Sequence, residues 1–338
     1  MKSNENRAYI IAEIGGNHEG DFAYAKKLLR LAIESGADAV KFQVYTGETL
    51  VNKDVDPARA EHFSRFALDE QQYFDLAKIC LDRGVDFLAS VWTASMIEKF
   101  SDLMPFFKVG SGDLTAFPIL RRIAMTGKPI LLSTGLSTFD EIDDAIRFIR
   151  EVDSCYSNLG SLGVLQCTSM YPIPDGEANL KVMEVLKQKY PDLAIGYSDH
   201  TVGSTASKIA LAAGAEIIEI HFTDTRAGKE FRDHQVSFTC EEVKDLVQWA
   251  NKVNVFIGDG KKEPTDSELK SGHLRSFRRA LYPARALLKG EYIRQDDLVA
   301  LRPCVGISAC KLNSIVGRRA NRDYSELEPL DLSLCPND

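Results

Sequence analysis

Eight short apolar runs, each followed by a stretch of helical periodicity, fill roughly the first 255 residues, and this alternation constrains the fold more than any other feature. The runs are YIIAEI (9–14), AVKFQVY (39–45), DFLASV (86–91), FFKVGS (106–111), PILLST (129–134), LGVLQCT (162–168), LAIGYSD (193–199) and EIIEIHFT (216–223). Near-continuously apolar strands separated by helices indicate a parallel sheet covered on its outer face. In FAYAKKLLRLAIESGA the residues Ala25, Leu28, Leu29, Ala32 and Ile33 fall at helical spacing, and Gly36 sits where a helix stop belongs. Similar stops recur at Gly84, Gly127 and Gly214. Eight βα units in this length predict a (β/α)₈ TIM barrel over residues 1–257. The rival is an open doubly wound sheet. Its G-x-G-x-x-G fingerprint is absent after the first strand, and VGSGDL (109–114) follows the fourth strand and lacks the third glycine.

Beyond residue 257 the texture changes. Residues 258–276, rich in Gly, Lys, Glu, Pro and Asp, read as a linker. Residues 277–338 carry short strands around the turns KGE and IRQDDL and predict a small β-rich domain. Such a domain is too small to be very stable unless it packs on something. A net charge of −8 argues against a nucleic-acid or acidic-membrane partner. The polar start MKSNENRAYI has no apolar h-region, and no run is long enough to span a membrane. Seven scattered cysteines without a C-x-x-C pair suggest reduced thiols in a cytoplasmic protein.

In a barrel, chemistry belongs at the C-terminal ends of the strands. That rim is polar here: Glu13, Asn17, His18, Lys41, Gln43, Ser90, Lys108, Ser111 and Asp113 in the first half. Ser133, Thr134, Gln166, Thr168, Ser169, Tyr171, Ser198, Asp199, His200, His221 and Thr223 complete it. Strands in a parallel sheet lie about 4.8 Å apart, so His200 and His221, ending neighbouring strands, can reach one point and share a metal. Two imidazoles leave positions open for water and substrate, which suits a Lewis acid. His234 and Asp233 follow in the next loop. Lys41 and Lys108 lie within buried strands, where an unpaired cation is costly. With Ser111, Ser133 and Ser198 they form a candidate cradle for phosphate and carboxylate; a Schiff-base lysine is the rival chemistry.

The ordered blocks IAEIGGNHEGD, GADAVKFQ, FKVGSGDL, GKPILLSTG, LQCTSMYP, GYSDHT and IEIHFTD resemble the N-acetylneuraminate (sialic acid) synthase family. KGEYIRQDDLVALRP…GI resembles that family's C-terminal antifreeze-like (SAF) domain. The resemblance implies a cytoplasmic transferase that condenses phosphoenolpyruvate with an N-acylated aldose, giving a nine-carbon 2-keto acid and phosphate. It implies a divalent metal, Mn²⁺ first and Mg²⁺ or Co²⁺ as alternatives, on His200 and His221, and a domain-swapped homodimer. It places Lys41, Gln43, Lys108, Ser111, Ser133 and Ser198 on phosphoenolpyruvate, and Glu13, Ser169, Tyr171 and Asp233 around the sugar and metal. Arg302 would reach over the sugar of a partner subunit. Asp113 stands where many members have Glu, and either Asp113 or Glu13 is expected to handle the proton of the attacking water. The resemblance leaves three acceptors open: N-acetylmannosamine, its 6-phosphate (a 9-phosphate synthase) and a diacetamido-deoxy sugar. A related synthase acting on other phosphorylated aldoses is the alternative activity.

Overall fold

The structure, a computed structural model, describes residues 7–331. The chain divides into two compact units, Met1–Gly258 and Asp259–Asp338. In the first unit each predicted run holds one strand: β1 (Tyr9–Glu13), β2 (Ala39–Val44), β3 (Asp86–Val91), β4 (Phe107–Val109), β5 (Ile130–Ser133), β6 (Leu162–Cys167), β7 (Ala194–Asp199) and β8 (Ile217–His221). All pairings are parallel, in the order β3-β2-β1-β8-β7-β6-β5-β4, which is a TIM barrel with one unlaced joint between β3 and β4. At that joint Ser90 Oγ donates to the Lys108 carbonyl at 3.3 Å. The open doubly wound alternative does not describe this ring, because β1 and β8 pair along their whole lengths.

The helices form for the reasons the sequence suggests. Helix α1 (Phe22–Glu34) begins where Asp21 accepts from the amides of Ala23 and Tyr24. It buries Ala25, Leu28, Leu29 and Ala32 against the strands. Each fully buried leucine contributes about 1.5–3 kcal/mol. The stops at Gly36, Gly84, Gly127 and Gly214 all have positive φ, the left-handed turn a β-carbon would strain.

Between β2 and α4 (Glu70–Asp82) stand two further helices, α2 (Gly47–Leu50) and α3 (Pro57–Phe66), which the eightfold pattern does not announce. Helix α3 buries only Ala60, so it has no apolar stripe to betray it. Its start is nonetheless conventional, with Asp56 accepting from the Arg59 amide and Pro57 in the first turn.

In the second unit, part of the stretch expected to be a linker is helical: Asp266–Lys270 and His273–Ser276. Neither helix buries a residue, which is why its composition reads as polar connection. Strands β9 (Ala280–Pro283) and β10 (Leu298–Leu301) pair antiparallel. Leu281, Leu287, Ile293, Ile307, Ile315, Ala320, Tyr324 and Leu330 make a small core. Six cysteines are free thiols, and Cys335 lies outside the described residues. No helix among the described residues is long and apolar enough to cross a membrane.

Candidate active site

Parallel register sets the site's floor. Glu13 pairs with Lys41 on one side and His221 on the other, and Ser198 pairs with Glu219. Side chains two apart on a strand share a face, so Glu219 points to the same interior as His221. Lys41 Nζ meets Glu13 Oε2 at 2.6 Å and Glu219 Oε1 at 3.4 Å, and Lys108 Nζ meets Glu219 Oε2 at 3.0 Å. Ser198 Oγ donates to Glu219 Oε2 at 2.9 Å, and Gln43 Nε2 donates to Glu13 Oε1 at 2.9 Å. All four charged groups are buried, forming an alternating chain of two cations and two anions. Burial alone would lower the pKa of Lys41, but Glu13 and Glu219 hold it above its ordinary value. Burial would likewise raise Glu219, yet Lys108 and Lys41 hold it well below the carboxylate range. Glu13 ends above its ordinary value, because desolvation there outweighs Lys41.

Beside this floor, the rings of His200 and His221 lie 5.2 Å apart between centroids. The Thr168 carbonyl, 2.8 Å from His200 Nδ1, takes that nitrogen's proton and leaves the Nε2 lone pair for a ligand. Buried His221 Nδ1 has no hydrogen-bond partner; Asp233 Oδ2, at 3.9 Å, is too far to be one. Burial depresses the His221 pKa, so its imidazole is neutral and offers a lone pair. Among the described residues no cluster of three or more His, Cys, Asp or Glu side chains gathers to hold a metal. An orphaned buried nitrogen beside a second, pre-oriented imidazole fits an open metal site in which substrate and water complete the coordination.

The two imidazoles and the floor open into one cavity of about 950 Å³. Every predicted site residue of the first unit lines it, from Glu13 through Asp113 and Ser169 to Asp233. Ser111 Oγ accepts from the Gly135 amide at 3.0 Å, and Ser133 Oγ is buried without a partner. A β-carbon at Gly135 would fall 2.4 Å from Ser169 Oγ and 2.8 Å from Ser111 Oγ, so only glycine lets this loop approach both hydroxyls. Asp113 Oδ2 accepts from Trp92 Nε1 at 2.8 Å, and burial raises its carboxyl above the usual value despite Trp92 and Lys108. The Tyr171 ring lies 4.0 Å from the His200 ring, and the Arg232 guanidinium lies over the Tyr171 ring, 4.3 Å from its centre.

Arg302 is the one predicted site residue that lies in the second unit, where it is exposed with its guanidinium 5.4 Å from the Phe277 ring. Two features escaped sequence reading. Glu219 was legible in EIIEIHFT as an acidic residue two places before His221 on a buried strand. The second is a face of α3: Arg59, His62, Phe63 and Phe66, at i, i+3, i+4 and i+7, line the cavity mouth. Phe66 packs 4.8 Å from Phe231 of the loop after β8, and Phe63 packs 5.3 Å from Tyr45.

This chain belongs to the NeuB family: the NeuB family model matches residues 28–262, which hold most of the barrel with its two floor lysines and paired imidazoles, and the SAF domain model matches residues 278–333. It is 36% identical to N,N'-diacetyllegionaminic acid synthase of Legionella pneumophila, over 94% of this chain and 91% of the relative. It is 32% identical to human N-acetylneuraminate-9-phosphate synthase, over 78% of this chain and 75% of that protein. The crystal structure of a sialic acid synthetase from Leptospira borgpetersenii in complex with citrate superposes with a TM-score of 0.73 at 28% identity, covering 81% of this chain and 94% of that one. The chain is accordingly an enzyme, a transferase of the nonulosonic acid synthase type that forms a carbon–carbon bond with phosphoenolpyruvate.

Proposed function

We propose that this enzyme condenses phosphoenolpyruvate with an uncharged N-acylated aldose to give a nine-carbon 2-keto sugar acid and phosphate. The observation that carries this reading is the single cavity in which Lys41, Lys108 and the hydroxyls of Ser111, Ser133 and Ser198 adjoin two free-ended imidazoles. Lysines and hydroxyls at the floor bind and orient the phosphate and carboxylate, so that carbon 3 of the enol phosphate faces the aldehyde carbon; such orientation is worth several kcal/mol. The carbon–carbon bond forms, water adds at carbon 2, and the tetrahedral adduct expels phosphate. A divalent cation on His200 and His221, Mn²⁺ in first place, would supply Lewis acidity toward the aldose carbonyl.

Of the two candidate bases, Glu13 is engaged by Gln43 and Lys41, which fits it to hold Lys41 in place. Asp113 is oriented through one oxygen only, and its raised pKa suits a group that takes a proton from water and returns it to a leaving group. A Schiff base would need a neutral amine, whereas Lys41 is kept charged between two carboxylates.

The aromatic mouth supports an acceptor with acyl or deoxy methyl groups over one with a phosphate. The second reading, a 6-phosphate acceptor, is favoured by Arg59 and Arg65, which line the mouth and form no ion pair among the described residues. A phosphate-release assay with phosphoenolpyruvate and N-acetylmannosamine, its 6-phosphate or a 2,4-diacetamido-2,4,6-trideoxy hexose separates these readings. Turnover of the phosphorylated sugar alone would overturn the first. The exposed Arg302 is proposed to serve the cavity of a partner subunit in a homodimer. Mixing inactive His221→Ala and Arg302→Ala chains restores activity if it does so and restores none if Arg302 acts within its own chain.

A further inference from the structure

The loop between β8 and the helix Cys240–Ile257 carries Phe231, Arg232 and Asp233 to the cavity wall, and polar as well as apolar contacts hold it in place. One residue in it is buried more deeply than its neighbours. His234 has no exposed side-chain surface, and both ring nitrogens have partners on other segments. Nδ1 lies 2.7 Å from Thr223 Oγ1, just past the end of β8. Nε2 lies 3.1 Å from Glu19 Oε1, in the loop after β1.

Thr223 gives its only hydroxyl proton to the Thr225 carbonyl at 3.0 Å, so toward His234 it must accept, and Nδ1 carries the proton. Nε2 then faces the Glu19 carboxylate, a contact that holds with a proton between them; burial lowers the His234 pKa, and Glu19 opposes that shift. The far end is equally constrained. Glu19 sits at φ +53°, a conformation that is uncommon for a long side chain and persists only where the surroundings impose it. Lys229 Nζ, 3.7 Å from Glu19 Oε1, approaches the same carboxylate from the β8 loop. Behind His234, Ser237 Oγ donates to the Asp233 carbonyl at 2.7 Å and accepts from buried Asn17 at 2.8 Å. Asp233 is thus flanked by two buried ties, and its carboxylate is turned toward His221.

We infer that His234 is a positioning residue: it locks the β8 loop to the β1 loop and so fixes Asp233, and with it the acceptor's place beside the imidazoles. It touches neither substrate nor metal and acts through its neighbour. The acceptor half of the inference rests on the proposed function; the locking half does not, because it concerns the loop alone.

The full-length protein tests both halves. Trypsin can cut the loop at Arg226, Lys229 and Arg232, so the rate of cleavage there reports locking without any turnover. His234→Ala is expected to speed cleavage at these sites at least tenfold. His234→Gln, which can still donate to Glu19, is expected to recover most of the protection. In kinetics, His234→Ala is expected to raise KM for the aldose at least tenfold and leave KM for phosphoenolpyruvate within twofold. In an Asp233→Asn background the same change should add less than twofold, since a residue acting through Asp233 has nothing left to position. Glu19→Ala breaks the same tie from its more exposed end and stands in if His234→Ala does not fold. Unchanged cleavage would overturn the lock. Faster cleavage with an aldose effect fully additive to that of Asp233→Asn would overturn the positioning role while leaving the lock. If no aldose is turned over by the parent enzyme, the proposed function fails and the cleavage result still decides the lock.

Discussion

The floor and the mouth of the cavity are built by opposite means. The floor is made of strand residues, Glu13, Lys41, Lys108, Ser198 and Glu219, whose positions follow from ladder register and whose charges neutralise one another in the dark of the barrel. The mouth is made of a helix and loops lined by Arg59, His62, Phe63, Phe66 and Phe231, with the His62, Phe66 and Phe231 rings meeting tilted or stacked. A buried ionic floor tolerates almost no change, because removing one partner strands another charge without water. An aromatic mouth on inserted elements can vary at small cost to the barrel. Under the proposed function, the difference assigns reaction type to the floor and acceptor choice to the mouth.

The largest effect is expected from the floor. Lys41→Ala or Lys108→Ala should cut turnover at least a thousandfold and raise the half-saturating phosphoenolpyruvate concentration. Each should also lower unfolding free energy by about 3–5 kcal/mol, the usual cost of orphaning a buried ion. Activity assays and urea titration check both. Near-parental turnover in either variant would break the contrast at once.

Next come the imidazoles. Chelation should abolish activity and Mn²⁺ should restore it, and the His200→Ala, His221→Ala double variant should show no Mn²⁺ binding by calorimetry. Retained binding would place the metal elsewhere.

A smaller and more selective effect is expected at the mouth. Phe63→Ala or His62→Ala should raise KM for the aldose about tenfold, equivalent to ~1.4 kcal/mol, and leave that for phosphoenolpyruvate unchanged. A matching rise for phosphoenolpyruvate would erase the division of labour.

The smallest effect is on stability against pH. Asp113 has a folded pKa above its unfolded value, so over the window between them the native state binds more protons and stability falls as pH rises. Asp113→Asn cannot ionise. It should therefore be slightly more stable than the parent above that window, equal to it below, and catalytically impaired throughout. Denaturant midpoints at pH 4 and pH 7 decide the point.

These two regions also differ in how far the sequence discloses them. Strand period and register are local properties, so Lys41, Lys108, Ser198, His200 and His221 can be placed on one interior from the runs alone. Glu219 was readable by the same rule but was hidden inside a run taken as apolar. The face of α3 was not readable. Its residues are neither core nor conventional motif, and the partner that gives Phe66 its meaning, Phe231, lies 165 residues later in a loop. The stretch before the second unit's strands failed for a related reason: helices that bury nothing leave no periodic trace.

The missing ladder between β3 and β4 gives the ring a direction as well as a shape. Seven seams are laced by repeated backbone bonds; the eighth is bridged by the Ser90 hydroxyl, and the short β4 beside it leads straight into Ser111 and Asp113. Solvent deuterium should therefore enter the barrel's amides first along β4, while the β7–β8 seam opposite stays closed longest. Breathing of the barrel is then concentrated on β4, which carries Lys108 and leads to Asp113, and is smallest across the seams that carry Glu13, Glu219 and His221, so one wall of the cavity can yield while the other stays fixed.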